Sequence, residues 1–239
     1  MKSVSMSRIP RNEMIKVLTN IPFFKVLRQA NRNEFNSVIE MGRLSLANPG
    51  EVVCRKGDFD SIMYFLLKGE LRVFISDDLV NAKPLSRLFP GEIFGTLAFL
   101  NDSPRHATLQ ADPQGDGVLV MGIDFSPFGE LTDFSEVGPE AKKLFYLAIS
   151  KELERYLNHY ALSFPHDPRT ATLQSLQTPS LSTEDELELI YNRCCEFADL
   201  LCNWNVEASV RLKHLKPLER PNQGDIVKDI ESFLFGQLA

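Results

Sequence analysis

The sequence predicts an α+β protein in which a β-roll lies between helical regions. Short apolar or alternating runs fill residues 44–125 and are separated by glycine turns about every ten residues, which is typical of an all-β roll or sandwich. Before and after this region, apolar residues recur at helical spacing. The chain has 239 residues, 44% hydrophobic and 24% charged, which suits one globular domain with a smaller appended region.

Residues 1–43 are predicted to form short helices that lead into the roll. Asn31 to Glu34 resemble a capping box at the start of one helix, and the apolar face that follows contains Phe35, Val38, Ile39 and Met41. Within the roll, Ile62–Leu67 and Leu71–Ile75 form the clearest strand pair, joined at Gly69. Both faces of the first strand are apolar, so we predict a hairpin in the core.

The segment 126–164 is predicted to carry a long helix that starts at Pro139 and ends near Ser163. Its apolar residues are spaced three and four apart, the pattern by which one helix packs against another: Tyr146, Ile149, Leu153, Tyr156 and Tyr160. This pattern predicts a homodimer through residues 139–163. A helix that lies on its own β-roll is the alternative that the spacing leaves open.

The C-terminal part divides into a linker at 165–183, rich in Pro, Ser and Thr, and a small all-α tail at 184–239. The tail has two helical stripes, one of Leu187, Ile190, Cys194, Phe197, Leu200 and Leu201 and one of Ile226, Ile230, Leu234 and Leu238. So short a tail is marginal alone. We expect it to pack on the roll, on a dimer mate or on an unknown protein partner.

The segment from Phe94 to Ala111 contains a compact candidate site for an anion. Gly95 at a strand end would let a ligand approach the backbone, and the N–H groups of Leu97 and Ala98 would point from a first helical turn. Arg105 would supply a planar, permanently charged fork for a phosphate. The segment predicts a site for one phosphate group.

This segment resembles the phosphate-binding cassette of the cyclic-nucleotide-binding family, Phe-Gly-Glu-Leu-Ala followed by Pro-Arg-x-Ala-Thr. Other family features stand in order: Ile21–Phe24, Pro49–Glu51, Gly57–Asp58, Tyr64–Glu70 and Gly91–Gly95. The resemblance implies a double-stranded β-helix, or jelly roll, with flanking helices and cAMP or cGMP as the candidate ligand. It assigns ligand binding to Phe94, Gly95, Thr96, Leu97, Ala98, Pro104, Arg105, His106 and Ala107.

One fixed position of the cassette departs from the family pattern, and the residue at its variable position is unusual. Thr96 stands where the family has a glutamate that bonds the ribose 2′-hydroxyl, and loss of a charged hydrogen bond weakens binding by about tenfold to a hundredfold. His106 follows Arg105 where alanine or threonine is common in the family. Two alternatives stay open: His106 as an exposed histidine without a role, and Arg105 as a structural partner of Asp102 or Glu92.

Other classes of function lack support in the sequence. No catalytic motif and no metal-ligand spacing are present, so we expect no enzyme, metal or cofactor. The tail from residue 183 has 11 acidic and 6 basic residues, which argues against nucleic acid as a partner. Without a signal peptide or an apolar run of membrane length, we expect a cytoplasmic protein with no membrane association and four reduced cysteines.

Two hypotheses therefore remain. The chain is either a sensor that binds a cyclic nucleotide or another phosphate ligand and signals through its helical tail, or a degenerate interaction scaffold that no longer binds nucleotide. Thr96 is the residue on which the second hypothesis rests.

Overall fold

The computed structural model describes residues 1–4, 10–76, 79, 81–177 and 185–211. The strands are β1 (Lys2–Val4), β2 (Arg43–Ala47), β3 (Val52–Cys54), β4 (Ile62–Lys68), β5 (Leu71–Phe74), β6 (Ser86–Leu88), β7 (Ile93–Phe94), β8 (Thr108–Ala111) and β9 (Val118–Asp124). The helices are α1 (Arg11–Leu18), α2 (Pro22–Ala30), α3 (Arg32–Glu40), α4 (Thr96–Leu100), α5 (Ser126–Gly129), α6 (Pro139–Ser163), α7 (Pro168–Leu176) and α8 (Leu187–Val210).

The strands form two antiparallel sheets, with the orders β1-β2-β9-β4-β7 and β3-β8-β5-β6. One apolar cluster fills the space between the sheets, and a larger one joins the outer face of the first sheet to the helices. Phenylalanine rings dominate the second cluster: Phe23, Phe24, Phe65, Phe125, Phe128 and Phe145. The predicted α+β class and roll are confirmed.

The predicted hairpin at Gly69 is wrong. Strand β4 pairs with β9 and β7, whereas β5 pairs with β8 and β6, so the chain passes from one sheet to the other at this glycine. The prediction that both faces of β4 lie in the core is confirmed, because Phe65 faces the helical cluster and Leu66 faces the space between the sheets. A short turn between two apolar strands is compatible with either arrangement, and only the pairing of the distant β8 and β9 decides it.

Gly69 should be among the least replaceable glycines. Its φ of +88° disfavours any other residue, and an alanine Cβ would meet the backbone carbonyl of Gly117 and approach Val118 Cγ1 to 2.8 Å. We expect Gly69→Ala to lower the free energy of unfolding by about 2–4 kcal/mol in urea denaturation. Gly57→Ala is the matched control, since Gly57 has a φ of +89° and open space around it; equal losses in the two variants would contradict the steric argument.

The N-terminal helices follow the prediction. The region predicted as helical contains α1, α2 and α3, and the side chain of Asn31 accepts hydrogen bonds from the backbone N–H groups of Asn33 and Glu34. Pro22 occupies the first turn of α2, where its missing N–H costs nothing. Helix α2 packs its phenylalanines against β4 and α6.

Helix α6 has the predicted bounds, preceded in the segment 126–164 by the short α5. Four residues of its heptad pattern, Tyr146, Ile149, Leu153 and Tyr160, are buried inside the chain. Helix α8 covers this side of α6: Tyr191 meets the Tyr146 ring edge-on at 5.1 Å, and Tyr160 meets Trp204. The seam predicted for a homodimer is thus occupied by the chain's own tail, and a dimer through residues 139–163 stays a prediction.

The linker predicted at 165–183 contains a helix. Helix α7 starts after Asp167, whose side chain accepts from the backbone N–H of Arg169, and it buries Leu173 against the neighbouring helices. One apolar residue gives no detectable period, which is why composition alone indicated a linker. The first tail stripe lies along α8 and is buried except for Leu187, which is half-buried, whereas the second stripe lies outside the described residues.

Candidate functional site

The predicted cassette spans the end of β7, the short helix α4 and the start of β8. Gly95 connects β7 to α4 with a φ of +97°, which a glycine adopts without strain. A Cβ at this position would clash with Nη1 of Arg105 and would come within 3.0 Å of the carbonyl of Ile62. Gly95 is therefore required for the close approach of the arginine, in addition to the backbone approach of a ligand that the sequence predicted.

Arg105 is the centre of the site. Its side chain is only 3% exposed, and its guanidinium donates to both carboxylate oxygens of Asp60 and to the carbonyls of Ile62 and Gly95. These bonds use four of its five N–H groups and fix the direction of the fork. The structural alternative for Arg105 named Asp102 or Glu92 as its partner, and this is wrong, because Asp60 takes that place.

The nine predicted residues all line one cavity of about 900 Å³: Phe94, Gly95, Thr96, Leu97, Ala98, Pro104, Arg105, His106 and Ala107. Their short separation along the chain made this grouping predictable. Whether each of them contacts a ligand stays a prediction. Thr96 is among the least accessible, with 9% of its surface exposed.

Sequence reasoning missed the part of the cavity wall that α6 and α8 form. Helix α6 contributes Glu152, Leu153, Tyr156, His159 and Tyr160, and α8 contributes Leu201, Cys202, Asn203, Asn205 and Val206. These residues lie about 50 to 110 positions beyond the cassette. The apolar stripe of the tail predicted that α8 would bury one face, but no signal showed that it would cover this cavity.

Direct polar contacts connect α8 to the cassette. The ring of His106 lies 2.8 Å from Ser103 Oγ through Nε2 and 3.0 Å from Cys202 Sγ through Nδ1. Burial lowers the pKa of His106 and raises that of the Cys202 thiol to about 12, with Asp199 adding to the rise. A neutral imidazole between a thiol and a hydroxyl fits both shifts. His106 is half-buried, so the alternative of an exposed histidine is wrong.

A second contact lies one turn away on α8. The amide nitrogen of Asn101, at the end of α4, donates to Asp199 Oδ1 at 3.0 Å. The tail thus contacts His106 of the predicted phosphate site and Asn101 beside it.

Two carboxyl groups lie near one guanidinium beside β7, that of Arg155. Glu92 is 3% exposed and accepts hydrogen bonds from Arg155, from the backbone N–H of Phe89 and from the hydroxyl of Tyr156. Glu152 accepts from the backbone N–H of Ile93 over a longer distance of 3.4 Å. Burial raises the pKa of both carboxyls, that of Glu152 to about 8, against the opposing effect of Arg155.

Neither a metal site nor a membrane-spanning helix is found among the described residues. No group of three or more His, Cys, Asp or Glu side chains is placed there to hold a metal ion. None of the helices described combines the length and the apolar character that crossing a membrane requires.

A β-roll with a buried arginine in its cavity wall is an arrangement that suits an anionic ligand. Comparison with known proteins points to a family: residues 46–131 match the family model of the cyclic nucleotide-binding domain. Its relatives are regulatory domains of cyclic-nucleotide-dependent kinases and similar proteins.

Two curated relatives and one solved structure illustrate the likeness. The cAMP-dependent protein kinase type II regulatory subunit of Drosophila melanogaster is 29% identical over 118 residues, which cover 49% of this chain and 28% of that protein. A cGMP-dependent protein kinase of Plasmodium berghei is 29% identical over 100 residues, 42% of this chain and 11% of that one. The regulatory domain of Toxoplasma gondii PKA with cAMP gives a TM-score of 0.43 at 20% identity, covering 56% of this chain and 48% of that chain. The chain therefore spans only a minor part of these two curated relatives.

Proposed function

We propose that the chain binds a cyclic nucleotide, cAMP or cGMP, or a related phosphate ligand in this cavity and acts as a regulatory protein without enzymatic activity. The observation that carries the proposal is Arg105, a buried guanidinium held by Asp60 in the wall of a cavity large enough for a nucleotide. Its fixed direction removes the side-chain entropy that a free arginine would lose on binding an anion. The family of the domain gives the candidate ligands.

The signal passes through the helical C-terminal region in this proposal. A ligand in the cavity lies against α8, because Cys202, Asn205 and Val206 form part of its wall. Binding shifts the position of α8 only if the ligand prefers one arrangement of the helix over another. A shift of α8 would break the contact between Cys202 and His106 that the structure contains.

The scaffold alternative is favoured by one observation. Thr96 places a neutral, buried hydroxyl at the start of α4, where the family pattern has a carboxylate. In that case the roll would serve protein contacts alone.

The remaining parts of the proposal concern assembly. We infer a cytoplasmic protein whose tail contacts an unknown protein partner. A homodimer through residues 139–163 would require α8 to leave the seam that it covers on α6. Ligand binding and dimerisation would then be linked through the same helix.

Titration calorimetry with cAMP and with cGMP tests the proposal, with linear 5′-AMP as the control ligand. We expect micromolar or tighter binding of one cyclic nucleotide and weaker binding of 5′-AMP. Trp204, the single tryptophan, is fully buried beside residues that line the cavity, so its fluorescence should change during the same titration. Absence of heat with both nucleotides, together with an unchanged melting temperature, would favour the scaffold.

A further inference from the structure

Helix α6 contributes to the cavity wall a carboxyl group that the cassette itself lacks. Helix α6 runs beside β7, the terminal strand of its sheet, and places Glu152 next to Ile93. Glu152 is half-buried and lines the same cavity as Arg105 and Thr96. The cavity thus has a guanidinium on one wall and a carboxyl group on another.

The surroundings of Glu152 leave it capable of accepting another hydrogen bond. Among the described residues, the hydrogen bond to Glu152 comes from the backbone N–H of Ile93 and is long at 3.4 Å. The nearby guanidinium of Arg155 forms its ion pair with Glu92 instead. The charged and titratable groups that influence Glu152 among the described residues are Glu92, Arg155 and Tyr156. The guanidinium of Arg155 thus lies near two carboxyl groups.

A hydroxyl group is the donor that suits this carboxyl. It would bring a hydrogen bond to a half-buried carboxylate without adding a charge to the cavity, and hydrogen bonds with one ionised partner are the stronger ones. A second cation would also satisfy the carboxylate, but it would be repelled by the buried Arg105 on the same cavity.

We propose that Glu152 accepts a hydrogen bond from a sugar hydroxyl of the ligand and makes the cavity selective for a phosphate ligand with an intact ribose. This inference rests on the proposed function. Thr96 is neutral, so the carboxylate that recognises the sugar comes from α6 rather than from the cassette. The 2′-hydroxyl is the free sugar hydroxyl of a 3′,5′-cyclic nucleotide.

The proposed role of Glu152 predicts a characteristic dependence of ligand binding on pH. Because burial raises the pKa of Glu152 to about 8, a large share of the free protein carries a proton there at neutral pH. A hydroxyl donor stabilises the ionised form, lowers the pKa in the complex and expels that proton. The affinity should therefore increase with pH until about pH 8 and be lower in more acidic solution. His106, which also lines the cavity, has a lowered pKa and therefore titrates at lower pH.

The test compares cAMP with 2′-deoxy-cAMP, and cGMP with 2′-deoxy-cGMP, by calorimetry on the wild-type chain and on Glu152→Gln. We expect the wild type to prefer the ribonucleotide by about tenfold to a hundredfold, the effect of one charge-assisted hydrogen bond. Glu152→Gln should reduce that preference to about threefold or less. It should also abolish proton release, measured as the dependence of the binding heat on the ionisation enthalpy of the buffer.

Glu154→Gln is the matched control, because Glu154 lies on the same helix but bonds Lys151 and Gln177 outside the cavity. It should leave the preference unchanged. Should Glu152→Gln not fold, Glu152→Asp shortens the side chain and should give the same loss. An undiminished preference in a folded Glu152 variant overturns the inference alone, whereas a wild-type chain that binds neither cyclic nucleotide overturns the proposed function and the inference with it.

Discussion

Arg105→Lys is expected to weaken the binding of cyclic nucleotide by at least about a hundredfold, the largest effect on binding that we predict. Lysine keeps the charge but replaces a planar fork by one ammonium group with three donors. It cannot hold both oxygens of Asp60 together with the carbonyls of Ile62 and Gly95, so the positive charge loses its fixed direction. Calorimetry at constant ionic strength measures the change.

The same substitution should lower the free energy of unfolding by about 1–3 kcal/mol, because buried partners of a charged group lose their hydrogen bonds. The loss is limited because Asp60 is 36% exposed and water can solvate its carboxylate. Urea denaturation therefore has to accompany the binding measurement. If the variant is folded in the absence of urea and still loses a hundredfold in affinity, the loss is an effect on binding and not on stability.

Arg87→Lys provides the matched control. Arg87 also lines the cavity, but its side chain is 46% exposed and pairs with Glu70 and Asp112 at the surface. We expect less than a threefold change in affinity, since exposed ion pairs contribute little. Equal losses of affinity in the two variants would show that the phosphate does not depend on Arg105 in particular. An unchanged affinity in Arg105→Lys would mean that the phosphate binds away from Arg105.

The cassette could be predicted because its parts are local. Residues 94–107 form one strand end, one helical turn and one loop, and chain connectivity alone brings all nine predicted residues to the same cavity. The partner of Arg105 could not be found in this way. Asp60 lies 45 positions earlier and reaches the guanidinium only because β4 and β7 pair side by side.

The part of the cavity wall that α6 and α8 form depends on tertiary packing, which the spacing of apolar residues does not specify. The spacing of apolar residues on α6 predicted a helical partner, but a second copy of the chain and the chain's own tail satisfy that spacing equally well. In the same way the apolar stripe of α8 predicted burial without naming the surface that covers it. Glu152 and Cys202 therefore carried no signal in the sequence, since each looked like an ordinary residue of an amphipathic helix.

Trp204→Ala is expected to have the largest effect on stability. Trp204 is fully buried between α6 and α7: its ring meets Tyr160 at 5.7 Å, and the guanidinium of Arg169 lies over it, also at 5.7 Å. Truncation of a buried tryptophan costs about 3–5 kcal/mol through lost contacts and the cavity left behind. Circular dichroism in urea measures the loss, and Leu189→Ala, at a residue of α8 that is 48% exposed, should change stability by less than about 0.5 kcal/mol.

The same variant reveals what the tail covers. If α8 loosens from α6, the side chains of Tyr146, Ile149 and Leu153 lose their cover, and an apolar helical face of this kind associates with another. We therefore expect Trp204→Ala to sediment as a dimer at concentrations where the wild type is a monomer. Loss of stability without dimerisation would mean that the spacing on α6 serves only the tail, and a wild type that is already dimeric would mean that the copies meet through a surface other than the buried seam.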